Sequence, residues 1–491
     1  MTEGGRRQGT SGRQGARRHG PNGRPAGPRT VQNRPESRRV RPTLDGARLT
    51  AYDVLEGVSA RDAYANLLLP QLLRERSADL RPRDAAFATQ LAYGTLRATG
   101  TLDTILTGLV SRPLTELDPK LLDLLRLGAY QLIDLRVPAH AAVDTTVALA
   151  RAIVGTGASG LVNAVLRKVA AGGTRAEWVT ALDVEGDERL SLLTDHPLWI
   201  VAAWRDALGA DGLGAEAELE AALLADDEAP EVHLVARSVD RAALIASCDG
   251  LPGPWSPYAV RLEGGDPGLL AEVRSGAAGV QDEGSQLAAL ALVRAPLEGP
   301  DAAWLDMCSG PGGKAALLAA VRPEGVQLTA ADRSEHRVGL VASALRDAED
   351  VELVVTDGRS GPWEPSSFDR VLLDAPCTGL GALRRRPEVR WRRTPEDVAP
   401  LAELQQELLD AALVAVRPGG VVAYVTCSPH TAETVDVVAS VAGREDVEVL
   451  PVAPLFPGVP DAARGDALQL WPHRHGTDAM FVALLRRLPQ V

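Results

Sequence analysis

At 491 residues the chain is long enough for more than one domain, and its 45% hydrophobic content is ordinary for a globular protein. Four cysteines without a C-x-x-C exclude a disulfide framework and predict a reducing, cytoplasmic home; with no signal-peptide core and no long apolar run, no membrane segment is expected. The formal charge of −13 is not that of a generally basic nucleic-acid binder, yet residues 1–41 hold eleven arginines against two acids, which leaves the remainder still more acidic.

Residues 1–46 are rich in Gly, Pro, Arg and Gln and nearly devoid of apolar side chains. Such a segment cannot offset the entropy of ordering, so a disordered arginine-rich tail is expected, acting as a solubiliser or as a phosphate-seeking arm. Residues 47–172 turn helical. In LDPKLLDLLRLGAYQLIDL, the apolar Leu121, Leu122, Leu125, Ala129, Leu132 and Ile133 recur at the spacing of one helix face, with Asp118 as N-cap and Pro119 as first helical residue. Several such helices with short connections predict a bundle. Residues 173–275 mix helical runs (HPLWIVAAWRDALG, 215–226) with an alternating strand at 231–238 and predict a small α+β module. From 276 to 491, strands at 302–307, 326–332, 351–357, 368–374 and 421–427 alternate with helical stretches such as 335–349 and 400–416. That order predicts a doubly wound parallel sheet, with ligands beyond the carboxyl ends of its strands.

The first of these strands runs into CSGPGGKAALL. Gly310, Gly312 and Ala315 satisfy G-x-G-x-x-A, which alone says only that the backbone turns tightly and approaches a ligand at a helix start. A phosphate-gripping P-loop is excluded, because it needs Gly where Cys308 stands and a hydroxyl where Ala315 stands. Asp332 ends the second strand, where a carboxylate can accept from both ribose hydroxyls. Asp357 ends the third, where an adenine amino group is expected. Either acid alone reads equally as a loop acid or helix cap; in strand order with the loop, they point to a nucleoside-bearing cofactor.

NAD and S-adenosylmethionine both suit such a pocket. The fourth and fifth strands separate them, because Asp374-Ala375-Pro376-Cys377 and Thr426-Cys427-Ser428-Pro429 should project onto one site. Hydride transfer needs no thiol there, whereas methylation at carbon 5 of a pyrimidine does. That carbon is a poor nucleophile towards a methyl sulfonium. A thiolate adding to carbon 6, helped by an acid near ring nitrogen 3, turns the ring into an enamine that attacks the methyl group; a base then removes the carbon 5 proton and the thiol is eliminated. The thiol must ionise, so its pKa must fall below the ordinary ~8.5, and the base must leave any stack to be reached. A disulfide or a metal site is the rival reading of the two cysteines. A reducing compartment speaks against the first and the lack of nearby His/Cys spacing against the second, so no metal is expected. Cys248 reads as a small buried apolar residue.

The stretches MCSGPGGKA, DAPCTGLG, RRRPEVRW and TCSPH resemble the class I RNA 5-methylcytosine methyltransferases. AYGTLR (92–97), LRLGAYQLIDLRVPAHAAVDTTV (125–147) and GLVNAVLR (160–167) resemble the NusB-like domain fused to the Fmu/Sun-type 16S rRNA cytosine methyltransferase. The resemblance spans roughly residues 47–487, in two domains of matching order. It implies an all-α NusB-like RNA-binding bundle, a small α+β linker and RNA-contacting module, and a Rossmann-like α/β methyltransferase domain. It further implies that the loop Cys308, Ser309, Gly310, Pro311, Gly312, Gly313 and Lys314, with Asp332, Asp357 and Asp374, binds S-adenosylmethionine. Asp374 would also face the cytosine, Cys427 would be the nucleophile and Cys377 would assist release of the product. The chemistry of the residues asks for one thiol; which one, and why there are two, comes from the resemblance alone.

Six arginines crowd around Pro387 and Trp391 directly after the Pro-Cys motif. Among them Arg384, Arg385 and Arg390, with Trp391, are expected to contact RNA, the arginines through phosphate. The chain departs from the family pattern at Thr434, where Asn is usual after the acid, and at Ala479 and Met480, where Gly and Phe are usual. The expected partner is 16S rRNA, free or partly assembled, met by a monomer. The rivals are the same chemistry on tRNA or another rRNA site, a non-enzymatic NusB-like RNA-binding factor, and an NAD oxidoreductase. Intact Asp374, Cys377 and Cys427 speak against the second, and the want of a hydride-transfer site against the third.

Overall fold

The computed structural model describes residues 44–210 and 215–489. The expectation of a disordered tail over 1–46 lies outside the described residues but for its last three positions. There the chain already enters α1 (Gly46–Arg61), whose N-cap Asp45 accepts from the Arg48 amide at 2.9 Å.

Seven helices build the N-terminal bundle: α1, α2 (Ala65–Glu75), α3 (Pro82–Arg97), α4 (Thr99–Thr107), α5 (Pro119–Ile133), α6 (Ala139–Ile153) and α7 (Thr156–Gly172). Asp118 caps α5 by accepting from the Lys120 amide at 2.9 Å, and Pro119 is its first residue. The expected single apolar face is too narrow. α5 packs against α1, α3, α4, α6 and α7, so Leu124 and Leu127 are buried as fully as Leu125, while Leu122 and Leu132 are only half-buried. A helix surrounded by helices loses the polar side that periodicity looks for.

Four helices follow, Arg175–Ala181, Gly186–Thr194, Leu198–Ala210 and Ala215–Asp227. Ile200, Trp204 and Leu223 of this group pack with Leu380, Leu383, Trp471 and Ala479 of the C-terminal part. Next comes an antiparallel sheet of β1 (Val232–Ala236), β2 (Leu251–Pro252), β3 (Ala259–Leu262) and β4 (Ala278–Val280), in the order β2-β3-β1-β4. β4 lies past residue 275, so this sheet extends beyond the boundary drawn from the sequence.

The large sheet contains β5 (Ala303–Asp306), β6 (Gln327–Asp332), β7 (Val351–Val355), β8 (Phe368–Asp374), β9 (Val416–Thr426), β10 (Val447–Leu450), β11 (Ala463–Arg464), β12 (Ala467–Gln469) and β13 (Phe481–Arg487). Its order is β11-β12-β13-β9-β8-β5-β6-β7, with β10 also paired to β13. β5 through β9 are mutually parallel where they pair, as expected. The remainder is not: β13 runs antiparallel to β9, β10 and β12. The sheet is therefore mixed, because the chain beyond residue 442 returns through turns and short strands and has no crossover helix to reverse its direction. From β5 the chain moves out to β6 and β7, then returns to β8 on the other side. The carboxyl ends of β5 and β8 thus form the topological switch point.

Candidate active site

β5 ends on Asp306, and the glycine-rich loop turns from it into the helix Gly313–Val321. The loop is tied to the end of β6. The Ser309 amide donates to Ala331 O at 2.8 Å, and the Gly310 amide donates to Asp332 Oδ2 at 3.1 Å. Gly312 sits at φ +107°, and a Cβ there would lie 2.9 Å from the Val341 Cα, so the turn requires glycine. Asp332 is only 2% exposed; its Oδ1 accepts from the Ser334 amide at 3.0 Å and its Oδ2 lies 3.2 Å from Arg337 Nη1. Asp332 thus already organises the loop that a cofactor would rest on.

Asp306 was not singled out in the sequence beyond ending its strand. It is fully buried, and neither carboxylate oxygen has a hydrogen-bond partner. Burial, reinforced by the neighbouring Asp374 carboxylate, pushes its carboxyl well above the usual range. A buried, unpartnered acid beside Asp332 and Asp374 fits a ligand with cationic groups, as S-adenosylmethionine has in its ammonium and sulfonium. Burial likewise drives the Cys308 thiol upward, which leaves it inert as a nucleophile.

Lys314, on the first turn of the loop helix, donates from Nζ to Asp374 Oδ2 at 2.8 Å. Burial works against the Lys314 ammonium, but the Asp374 carboxylate, with Cys427 and Asp306 adding to it, offsets this, so the net shift is upward and the lysine stays charged. Beyond Asp374, Cys377 reaches Cys427 at the end of the neighbouring strand, with the two Sγ atoms 3.5 Å apart. The hydrogen bond between them, with Cys377 as donor, lowers the Cys427 thiol; the Lys314 and Arg386 cations add to this, against burial and Asp374. The same bond, then burial and the Glu433 carboxylate, pushes Cys377 well upward. The pair thus favours ionisation at Cys427 over Cys377.

Asp357 does not join this group. It accepts three bonds from Arg359, from the amide at 3.0 Å, Nε at 3.0 Å and Nη2 at 2.8 Å, in the short turn Gly358–Ser360. The expected adenine contact would have to compete with that pairing.

The arginine loop departs furthest from expectation. Arg384 and Arg385 both pair with Asp478, with Nε to carboxylate distances of 3.0 and 2.9 Å, and Arg385 Nη2 reaches Asp282 at 2.6 Å. Arg390 is fully buried and donates from Nη1 to Asp195 O at 2.9 Å and Asp227 Oδ1 at 2.8 Å. Trp391 donates from Nε1 to Leu96 O at 2.9 Å, at the end of α3. Arg392 donates to Val58 O at 3.1 Å and Ala63 O at 2.8 Å and lies over the Tyr64 ring. These residues join the catalytic part to the bundle and to the linker helices, so a phosphate contact from Arg384, Arg385 or Arg390 would have to compete with the partners they already hold inside the protein. Arg386 is different, being exposed with no side-chain partner among the described residues. The partners are the distant acids Asp227, Asp282 and Asp478, and Asp282 reads in its own segment simply as the N-cap of the helix Glu283–Arg294.

The three departures from the family pattern fit locally. Thr434 is buried and donates from Oγ1 to His430 O at 2.9 Å. Ala479 donates its amide to Gly381 O at 2.8 Å, and Met480 fills the core beneath the sheet.

The family model described as 16S rRNA methyltransferase RsmB/F matches residues 292–486, and that of the NusB family matches residues 45–171. A Mycobacterium tuberculosis protein named "Putative methyltransferase Rv1407" is 53% identical over 453 residues, covering 91% of this chain and 97% of that protein. The ribosomal RNA small subunit methyltransferase B of Pseudomonas syringae is 32% identical over 460 residues, covering 90% of this chain and 97% of that protein. Among solved structures, PH0851 shares the fold over 90% of this chain and 98% of its own, at 20% identity and a TM-score of 0.76. NSun6 from Pyrococcus horikoshii, solved with SFG, matches 59% of this chain and 98% of its own at 19% identity and a TM-score of 0.50.

Proposed function

Because the chain belongs to the RsmB/F family of 16S rRNA methyltransferases, we propose that it methylates carbon 5 of a cytosine in 16S rRNA through a covalent bond between Cys427 and the base. The enzyme is an S-adenosylmethionine-dependent rRNA methyltransferase. It works in the cytoplasm as a monomer, on RNA that is free or partly assembled. The observation that carries the cytosine reading is the pair of thiols 3.5 Å apart, with the Lys314–Asp374 pair beside them at the same strand ends.

The loop 308–314, with Asp306 and Asp332, would hold the cofactor, which supplies an electrophilic methyl group. The Cys427 thiolate adds to carbon 6 of the flipped base. The Lys314 ammonium, through the Asp374 carboxylate that it bonds, supplies the proton that ring nitrogen 3 takes up as electron density moves towards carbon 5. For release, Cys377 gives up its proton to solvent and as thiolate takes the carbon 5 proton, the bond from carbon 6 to Cys427 breaks to return the thiolate, and ring nitrogen 3 gives its proton back to the Asp374–Lys314 pair.

The test is methyl transfer from labelled cofactor to unmodified 16S rRNA, with mapping of the modified base. Cys427→Ala is expected to lose transfer, at least about a 10³-fold drop for a covalent nucleophile, and to form no covalent complex with RNA. Cys377→Ala is expected to accumulate a complex that survives denaturing electrophoresis. If Cys427→Ala traps RNA instead, the roles are exchanged; if label goes to tRNA or to another base, the target is wrong.

A further inference from the structure

The two cysteine loops are not independent. Glu433 lies six residues beyond Cys427, fully buried in the turn Thr431–Glu433. Its carboxylate reaches across to the other loop. Oε1 accepts from the Thr378 amide at 2.7 Å, and Oε2 accepts from the Thr378 hydroxyl. Gln405, on the helix Val398–Ala415, donates from Nε2 to Glu433 Oε1 at 3.3 Å and to Pro376 O at 2.8 Å. The Tyr424 hydroxyl lies 2.8 Å from Glu433 O and 3.1 Å from Gln405 Oε1. The residues on either side of Cys377 are thus held by one lattice, anchored in the segment that carries Cys427.

The donors to the Glu433 carboxylate are Thr378 and Gln405, both uncharged. The two thiols therefore sit in unlike fields. Cys377 has the Glu433 carboxylate behind its loop and no cation among the groups acting on it, while Cys427 faces the Asp374 carboxylate together with the Lys314 and Arg386 cations. A negative neighbour disfavours a thiolate and a positive one favours it.

We infer that Glu433 is a positioning residue that clamps Pro376-Cys377-Thr378 and sets the two cysteines apart, so that Cys427 alone is the nucleophile. This rests on the covalent reading above and adds a device that selects between the two cysteines.

The test is alkylation of the full chain by iodoacetamide without RNA or cofactor, with modification at Cys377 and Cys427 measured separately by mass spectrometry. In the unaltered protein Cys427 is expected to react at least about tenfold faster at neutral pH, the factor for one pKa unit of difference in thiolate. Glu433→Gln keeps the shape and an acceptor but removes the charge; the ratio is expected to fall to within about threefold, with the Cys377 pH profile moving down. Glu433→Asp keeps the charge and should retain the preference. Gln405→Met removes both Nε2 bonds with little change in volume and is expected to reduce the ratio by about threefold; it decides the matter if Glu433→Gln does not fold. A merely structural Glu433 would lower the unfolding temperature and leave the ratio where it was. That result in either folded variant overturns the inference, as does equal reactivity in the unaltered protein. Labelling needs no RNA, so the two readings can fail separately. Lost selectivity in a chain that methylates no cytosine keeps the clamp and removes the covalent mechanism. Normal transfer with unmoved selectivity does the reverse.

Discussion

The acidic strand ends and the arginine loop are both dense in charge, but the fold treats them in opposite ways. Asp306 and Asp374 lie at the carboxyl ends of β5 and β8, where the sheet reverses its order and opens a crevice; Asp306 is left with no partner and Asp374 with one lysine. Arg384, Arg385 and Arg390 follow the same catalytic strand, yet acids from three other segments pair with all of them. Position explains the difference. A strand end at the switch point is uncovered by topology, whereas a loop that crosses between two domains is covered by both. Charge in a sequence says that a segment needs a polar partner; it does not say whether that partner is a ligand or the protein itself.

The largest expected effect tests the arginine half of this contrast. Arg390→Ala empties a fully buried guanidinium site and leaves Asp195 O without this donor and Asp227 with only the Arg97 pair at 3.4 Å, and it is expected to cost about 3 kcal/mol of folding stability, measured by denaturant unfolding. Its RNA affinity, corrected for the folded fraction, should hold. If stability is unchanged and RNA binding weakens, Arg390 is a phosphate contact after all and the contrast fails. Asp332→Ala tests the acidic half. Loss of hydrogen bonds to a charged group is expected to weaken cofactor binding by about 1.5–3 kcal/mol in calorimetry. Unchanged affinity would make Asp332 a loop anchor only. Arg386→Ala sharpens the comparison within the loop itself. As the exposed arginine without a partner, it should lower the log–log salt slope of RNA binding by roughly 0.7, one contact to a single strand, with no loss of stability. A slope that does not change would leave the loop without any phosphate contact.

Much of this was legible in the sequence, for identifiable reasons. β5, β6, β8 and β9 carry largely apolar runs ending on Asp306, Asp332, Asp374 or, one residue on, Cys427, and parallel strands buried on both faces announce themselves in that way, whereas the edge strand β7 is largely exposed. The N-cap and first residue of α5 were legible because capping is local. What escaped is long-range. β10 to β12 are two to four residues long, too short for any period. Arg390 meets Asp195 and Asp227 across more than 160 positions, and Glu433 meets Thr378 across 55. No local pattern reports such a pairing, so Glu433 read as one acid near a motif and Arg390 as one arginine in a run.

The smallest expected effect concerns Asp357, the acid whose place at a strand end suggested adenine and whose geometry suggests otherwise. Hydrogen bonds from the Arg359 side chain and amide hold its carboxyl down at about 2. A carboxyl lowered in the folded state adds stability above its unfolded value of ~3.9 and loses it as the pH falls towards about 2. Asp357 and Arg359 are 35% and 43% exposed in their side chains, so solvent screens most of that gain. Asp357→Ala should therefore unfold at nearly the wild-type temperature at neutral pH, and any small deficit should vanish in acid. If the carboxylate stays on Arg359 when cofactor binds, the variant's dissociation constant should remain within about twofold of wild type, well under the ~1.4 kcal/mol that a tenfold change represents. A tenfold loss would mean that Asp357 leaves Arg359 to meet the ligand. The strand-end rule would then extend to the third strand, and the line between acids facing the site and charges paired within the fold would have to be redrawn with the cofactor in place.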